Sequence, residues 1–227
     1  MVERVKKLGI VLTLFGFAFI VGGGYAFLKV QEGQTSLNAF SAEQNVKLTY
    51  NEQGQLTDRG MTEGAQAIMS LLVNDWKYPV AAGELDPNDP LVDTASEYMF
   101  QMATVAYHTL HGVQTIVLTE DVEYKGEIFK AGTYEFPVDG RYWADFDRAH
   151  PLEGPARAQA WTAVAHGLIA ELGVGTATAS SLQLGLGLAG LFAGVGVTFI
   201  FAGVGLVWAT RPETVKVPVL RPVAVPA

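Results

Sequence analysis

Two long runs without a charged side chain, one near each end, constrain this chain more than any other feature. Leu8–Leu28 (LGIVLTLFGFAFIVGGGYAFL) contains no Asp, Glu, Lys, Arg or His. Neither does Leu172–Thr210, whose apolar heart is LQLGLGLAGLFAGVGVTFIFAGVGLVWA. A hydrocarbon core of about 30 Å needs about 20 helical residues, each rising about 1.5 Å, so both runs are long enough to span a bilayer. A cleaved signal peptide is the alternative for the first run, with Arg4, Lys6 and Lys7 as its basic region. That run is longer than the about 7–15 apolar residues of such a leader, and no small-x-small cleavage site follows Gly22-Gly23-Gly24-Tyr25, so an uncleaved anchor fits better.

Basic residues beside the runs set the expected sidedness. Arg4, Lys6 and Lys7 precede the first, and Arg211, Lys216 and Arg221 follow the second. By the positive-inside rule both ends are cytoplasmic and the middle lies outside. The expected organisation is a cytoplasmic N-terminus (1–7), a first transmembrane helix (8–28), an extracytoplasmic acidic α+β domain (29–177), a second transmembrane helix (178–209) and a cytoplasmic tail (210–227). The fold class is thus a membrane protein whose two transmembrane α-helices flank an α+β domain with a small antiparallel sheet.

Charge and cysteine content exclude several functions. Between Val30 and Ser181 there are 21 Asp or Glu against eight Lys or Arg, a net of −13, whereas the whole chain carries −8. Such a surface repels nucleic-acid phosphates. The chain has no cysteine, which removes thiolate catalysis, zinc–cysteine sites and iron–sulfur ligation. An exported domain built without disulfides points to a prokaryotic envelope and its cell membrane.

Within the middle region, Lys29–Asn45 reads as a polar connector and Val46–Tyr50 as a short strand closed by the turn Asn51–Gly54. Ala65, Ile68, Met69, Leu72 and Trp76 give a helical stripe over Thr62–Trp76. Pro79, Pro87 and Pro90 make the intervening acidic loop rigid. Thr94-Ala95-Ser96-Glu97 matches a capping box and predicts a helix from there to about His111. Val113–Leu118, Val122–Phe129 and Gly132–Val138 alternate as strands, with Gly126, Gly132 and Asp139-Gly140 at turns. A last outer helix is expected to start near Pro155, with Trp161, Val164, Ala165, Leu168, Ile169 and Leu172 on one face, before Gly173 and Gly175.

The apolar runs are rich in glycine. Gly190 and Gly194 form a GxxxG, Gly187 and Gly194 lie seven apart, and Ala189, Gly196 and Gly203 repeat at seven. Small residues in such stripes let helix backbones approach closely, and Gly22, Gly23 and Gly24 are candidates to face them. Two stripes on one helix leave room for the chain's other span and for a different membrane protein. With no ionisable residue inside either run, an ion or proton path through this chain alone is not expected.

Candidate chemistry sits in the middle region. Glu97, Gln101, Thr104, His108 and His111 share one helical face, and His108 with His111 are candidate metal ligands, with His150 or His166 as a third. The alternative is a solvent-facing polar stripe. Asp139, Asp145 and Asp147, interleaved with Tyr142, Trp143 and Phe146, have the composition of a carbohydrate-handling patch, though turn acids and packing rings are the plainer reading. Arg148 and Arg157 near His150 are an anion-binding candidate. No nucleotide or hydrolase motif occurs, and no cofactor is predicted.

Three function classes follow: a noncatalytic accessory or scaffolding subunit of a larger membrane complex, a membrane-anchored module binding a lipid, glycan or metal ion, and a metal-dependent enzyme using the histidines. The first is expected, with the bilayer and other integral membrane proteins as partners.

Overall fold

The structure, a computed structural model, describes residues 1–211. Lys216 and Arg221, part of the expected basic flank, lie outside the described residues. Among the described residues, two helices are long and apolar enough to cross a membrane: α1, Val2–Gln44, and α5, Ala163–Ala209. The chain divides into two compact units, Met1–Val30 with the chain from Gly185 onward, and Gln31–Leu184.

Both helices are longer than their apolar runs. Lys29–Asn45, read from the sequence as a connector, is helical through Gln44. It contains no proline, and its polar residues bond along the helix. Gln34 Nε2 donates to Asn38 Oδ1 at 2.7 Å and the Thr35 hydroxyl to the Gln31 carbonyl at 2.8 Å. Leu37 and Ser41 are buried in the second unit, so this segment has a packed face. The helix stops at Asn45, whose φ of 51° takes the left-handed conformation common at helix ends.

The expected single helix from Pro155 is instead two. α4, Glu153–Ala160, ends at Trp161, whose buried indole donates to the Arg141 carbonyl at 3.2 Å. α5 then starts behind Thr162, whose hydroxyl accepts the Ala165 amide at 3.1 Å as a cap. Gly173 and Gly175 do not interrupt it. Of the expected apolar face, Ala165 and Leu172 are buried, whereas Val164 and Leu168 are exposed.

The second unit is α+β. α2, Thr62–Ser70, continues into one wider turn over Leu71–Asp75, where Trp76 N bonds the Leu71 carbonyl at 3.0 Å. The widened turn carries Leu71 and Leu72 into different core clusters. α3, Ala95–Leu110, begins with the expected capping box: Thr94 Oγ1 accepts the Glu97 amide, and Glu97 Oε2 accepts the Thr94 amide at 3.0 Å. Glu97 Oε2 also accepts the Asp93 amide and the Thr94 hydroxyl. Glu97 is therefore buried, not part of a solvent-facing stripe, and burial pushes its carboxyl up against the pull of those bonds.

The acidic proline loop is tied to the same helix start. Glu84 Oε2 accepts the Ser96 amide at 2.8 Å, and Ser96 Oγ accepts the Ala81 amide at 3.0 Å. Burial raises the Glu84 carboxyl, but the Ser96 donors and Gln183 outweigh it and hold it below its ordinary value.

Strands form three two-stranded antiparallel ladders among the described residues. β1, Thr49–Tyr50, pairs with β2, Leu56–Thr57. β3, Val113–Leu118, pairs with β6, Gly132–Pro137, in the register Val113 to Pro137 and Leu118 to Gly132. Between them, β4, Val122–Tyr124, and β5, Glu127–Phe129, make a hairpin. Its two loop residues, Lys125 and Gly126, have φ of 48° and 84°, the paired positive values of a type I′ turn. Ile116 of β3 points into a core with Leu110, Val138, Phe146, Ala156 and Trp161, while Val113 and Val117 face outward.

Tyr98 of α3 joins three helices in this unit. Its hydroxyl lies 2.8 Å from Ser41 Oγ of α1, in a buried pair. Its ring lies against Gly175 of α5, where an added Cβ would sit 2.6 Å from two ring carbons. The ring cannot retreat without breaking the Ser41 bond. Gly175→Ala should therefore destabilise the fold by about 1–3 kcal/mol, the usual range for overpacking. Gly167→Ala, on the same helix with open space beside it, should be neutral or stabilising, since alanine is the better helix former. Thermal melts of the two variants in mild detergent check this, and equal melting temperatures would contradict the Tyr98 contact.

Candidate functional site

In the first unit, α1 and α5 run antiparallel with backbone against backbone. A Cβ added at Gly9 would meet the Gly203 carbonyl at 2.6 Å, one at Gly16 the Gly196 carbonyl at 2.6 Å, and one at Gly23 the Ala189 carbonyl at 2.9 Å. The relation is reciprocal at Gly196, whose added Cβ would sit 2.7 Å from the Gly16 carbonyl. Contacts advance by seven residues on both helices, the repeat of a left-handed antiparallel pair. At each step the missing side chain is what lets the facing backbone in.

Larger side chains fill between these contacts. Ile20 lies beside Gly196, Ile200 beside Gly16, and Leu206 and Val207 beside Gly9. Phe19 meets Phe199 edge-on at 5.8 Å between ring centres and Phe192 at 5.8 Å. Thr13 and Thr198 satisfy their hydroxyls on the carbonyls of Gly9 and Gly194, both at 2.9 Å, so neither carries an unmet donor into apolar surroundings.

Other glycines of the pair face no described residue. Gly187, Gly190 and Gly194, with Gly22 and Gly24 of α1, have no atom within 4 Å of an added Cβ. Of the sequence candidates, Gly23, Gly196 and Gly203 thus lie at the α1–α5 contact, and the GxxxG glycines lie away from it. Gly9 and Gly16, not singled out from the sequence, complete the contact. Gly22 also lines a groove of about 260 Å³ with Phe15, Ala18, Phe19 and Phe192. One face of the pair is therefore closed, while Gly187, Gly190 and Gly194 share a side of α5 turned away from that contact, which no described residue covers.

The polar candidates of the second unit are each engaged separately. His108 Nε2 lies 3.0 Å from Asp58 Oδ1. His111 Nδ1 lies 2.9 Å from the Tyr107 carbonyl, with its ring 4.2 Å from the Tyr107 ring. His150 Nδ1 accepts the Leu152 and Glu153 amides at the start of α4, and its ring packs between Tyr124 and Phe129. His166 Nδ1 lies 3.0 Å from the Thr162 carbonyl. Among the described residues, no three His, Asp or Glu side chains converge as a metal site would require.

The acidic-aromatic stretch closes loops. Asp145 Oδ2 accepts the Tyr142 amide at 2.8 Å, Phe146 is buried in the core, and Asp139 holds a left-handed φ of 51°. Arg157 is buried with its guanidinium over the Trp143 ring and Nε donating to the Trp143 carbonyl at 2.9 Å. Asp147 Oδ2 accepts the Tyr124 hydroxyl at 2.5 Å and the Lys125 ammonium at 3.0 Å. The tyrosine bond first, then the lysine, holds the Asp147 carboxyl down at about 2 from its ordinary 3.8.

Two predictions follow from these contacts. Gly196→Leu should force α1 and α5 apart and lower the melting temperature by about 5 °C or more, while Gly190→Leu should leave it within about 2 °C. Because the Asp147 carboxyl is depressed, its ties to Tyr124 and Lys125 hold above its ordinary value and are lost as pH falls through its folded value. An NMR titration of the Tyr124 ring should accordingly show a midpoint near pH 2, and a midpoint at the unperturbed value would contradict the tie.

No family model, curated protein or solved structure matches this chain.

Proposed function

We propose that this chain is a noncatalytic accessory or scaffolding subunit of a larger membrane protein complex in a prokaryotic envelope. α1 and α5 cross the cell membrane, both termini are cytoplasmic, and the acidic unit Gln31–Leu184 is presented outside. Bilayer insertion is supported by the outward-facing side chains of the pair. Leu14, Phe15, Phe17, Val21, Leu191 and Phe201 are all more than half exposed, and water would bear that surface at high cost. The cytoplasmic ends are supported by Arg4, Lys6, Lys7 and Arg211.

The observation that carries the subunit reading is the open glycine face. Spans that only tether a domain have no use for glycine on a lipid-facing stripe, where it weakens the helix by about 1 kcal/mol per residue relative to alanine. A neighbouring helix seated on Gly187, Gly190 and Gly194 would recover that loss through close backbone packing.

Three measurements test the reading. The chain should stay in the membrane pellet under alkaline extraction. The chain has no cysteine, so a single Gln53→Cys variant can be labelled selectively, and an impermeant maleimide should reach it from outside intact cells. Mild-detergent purification should bring down a stoichiometric integral-membrane partner that Gly190→Leu loses while keeping its own melting temperature. A monodisperse monomer without partner, from both the unaltered and the variant chain, would sink the subunit reading.

A further inference from the structure

A second groove opens on the α1–α5 pair near its basic end. Ile10 and Leu14 of α1 and Val204, Val207 and Trp208 of α5 line it, with Arg211 at one end, and it encloses about 350 Å³. Of these side chains Arg211 alone is charged. The Thr13 hydroxyl, which also borders the groove, is already bonded to the Gly9 carbonyl. Because Gly9 lies against Gly203, the antiparallel register brings the start of α1, with Arg4, Lys6 and Lys7, to the same end of the pair as Arg211. Trp208 is 70% exposed beside the groove, an amphipathic ring at the level where apolar lining gives way to charge.

An apolar trough with Arg211 in its lining, at the end of the pair that also carries Arg4, Lys6 and Lys7, matches a ligand with a hydrocarbon chain and an anionic head. We propose that this groove binds one anionic glycerophospholipid, with an acyl chain along Ile10, Leu14, Val204 and Val207 and its phosphate at Arg211. Basic pockets between helices at the cytoplasmic face hold such headgroups by charge, and the apolar wall holds the chain. A second copy of this protein is disfavoured as the occupant, since it would bring two predominantly cationic ends together, with only Lys7 offset, by Glu3 at 3.8 Å. The site is distinct from the open glycine face: it shares none of Gly187, Gly190 or Gly194.

The inference rests on the proposed membrane reading, and the two fail differently. A chain released by alkaline extraction defeats the membrane reading itself; one that stays in the membrane and does not discriminate between lipids defeats only the lipid site. The test is native mass spectrometry of the full chain in mild detergent, offered phosphatidylglycerol and phosphatidylcholine with identical acyl chains. The unaltered chain should retain phosphatidylglycerol preferentially. Arg211→Gln should reduce that preference by about fivefold, the selectivity one basic residue near the surface supplies. Val204→Phe, which fills the trough from an exposed position, should reduce retention of both lipids. Equal retention of the two lipids by the unaltered chain, or an unchanged preference in Arg211→Gln, overturns the proposal.

Discussion

Where two helix backbones touch, neither can carry a side chain at the point of contact. That constraint organises the α1–α5 pair. Gly9, Gly16 and Gly23 on one helix meet Gly203, Gly196 and Ala189 on the other, and the seven-residue step on both keeps the contact line straight along the supercoil. Once the line is fixed, so is everything beside it. Ile20 and Ile200 must sit next to the opposite glycine, Phe19 must fit between Phe192 and Phe199, and the basic ends of both helices must fall together.

The same constraint explains what the sequence made legible and what it hid. GxxxG is the most visible small-residue pattern in α5, yet Gly190 and Gly194 are spaced four apart, the step of a right-handed crossing. A pair wound left-handedly selects the seven-residue series instead. Ala189, Gly196 and Gly203 could be read from α5 alone. Gly9 and Gly16 are less visible because in α1 the conspicuous feature is the triplet Gly22-Gly23-Gly24, and only its middle member is in phase. The signal was present: Gly9, Gly16 and Gly23 repeat at seven, and matching that series to the antiparallel one in α5 identifies the contact from sequence.

In the second unit, legibility followed the range of the interaction. The capping box of α3 and the positive-φ turn Lys125-Gly126 are set by residues a few positions apart, and both were readable. The helical state of Lys29–Gln44 was not, because its polar residues look like a linker until Leu37 and Ser41 find partners far along the chain. The break at Trp161 was equally hidden. Its apolar spacing continues through the break, and only the indole bond to the Arg141 carbonyl shows why the helix ends there. Glu97 is the instructive case within one residue. Its capping role was legible, but its burial depends on the proline loop packing over the helix start.

The histidines show how local bonding governs a reading of chemistry. Spacing along α3 puts His108 and His111 on one face, which is why they attract a metal interpretation. Yet metal ligands must aim at a common point, and among the described residues no group of three His, Asp or Glu side chains does so. His108 aims at Asp58, and His111 turns back on its own helix. His150 and His166 likewise bond to backbone at the starts of α4 and α5. In the second unit, then, the described histidines bond to helix ends and loops. The first unit differs in kind: after Gly9, Gly16 and Gly23 have closed one side of the helix pair, a row of glycines and two grooves remain without a neighbour. Surface that folding has left unfilled is where partners bind, which is why the proposed subunit role and the proposed lipid site both fall on the helices and not on the domain between them.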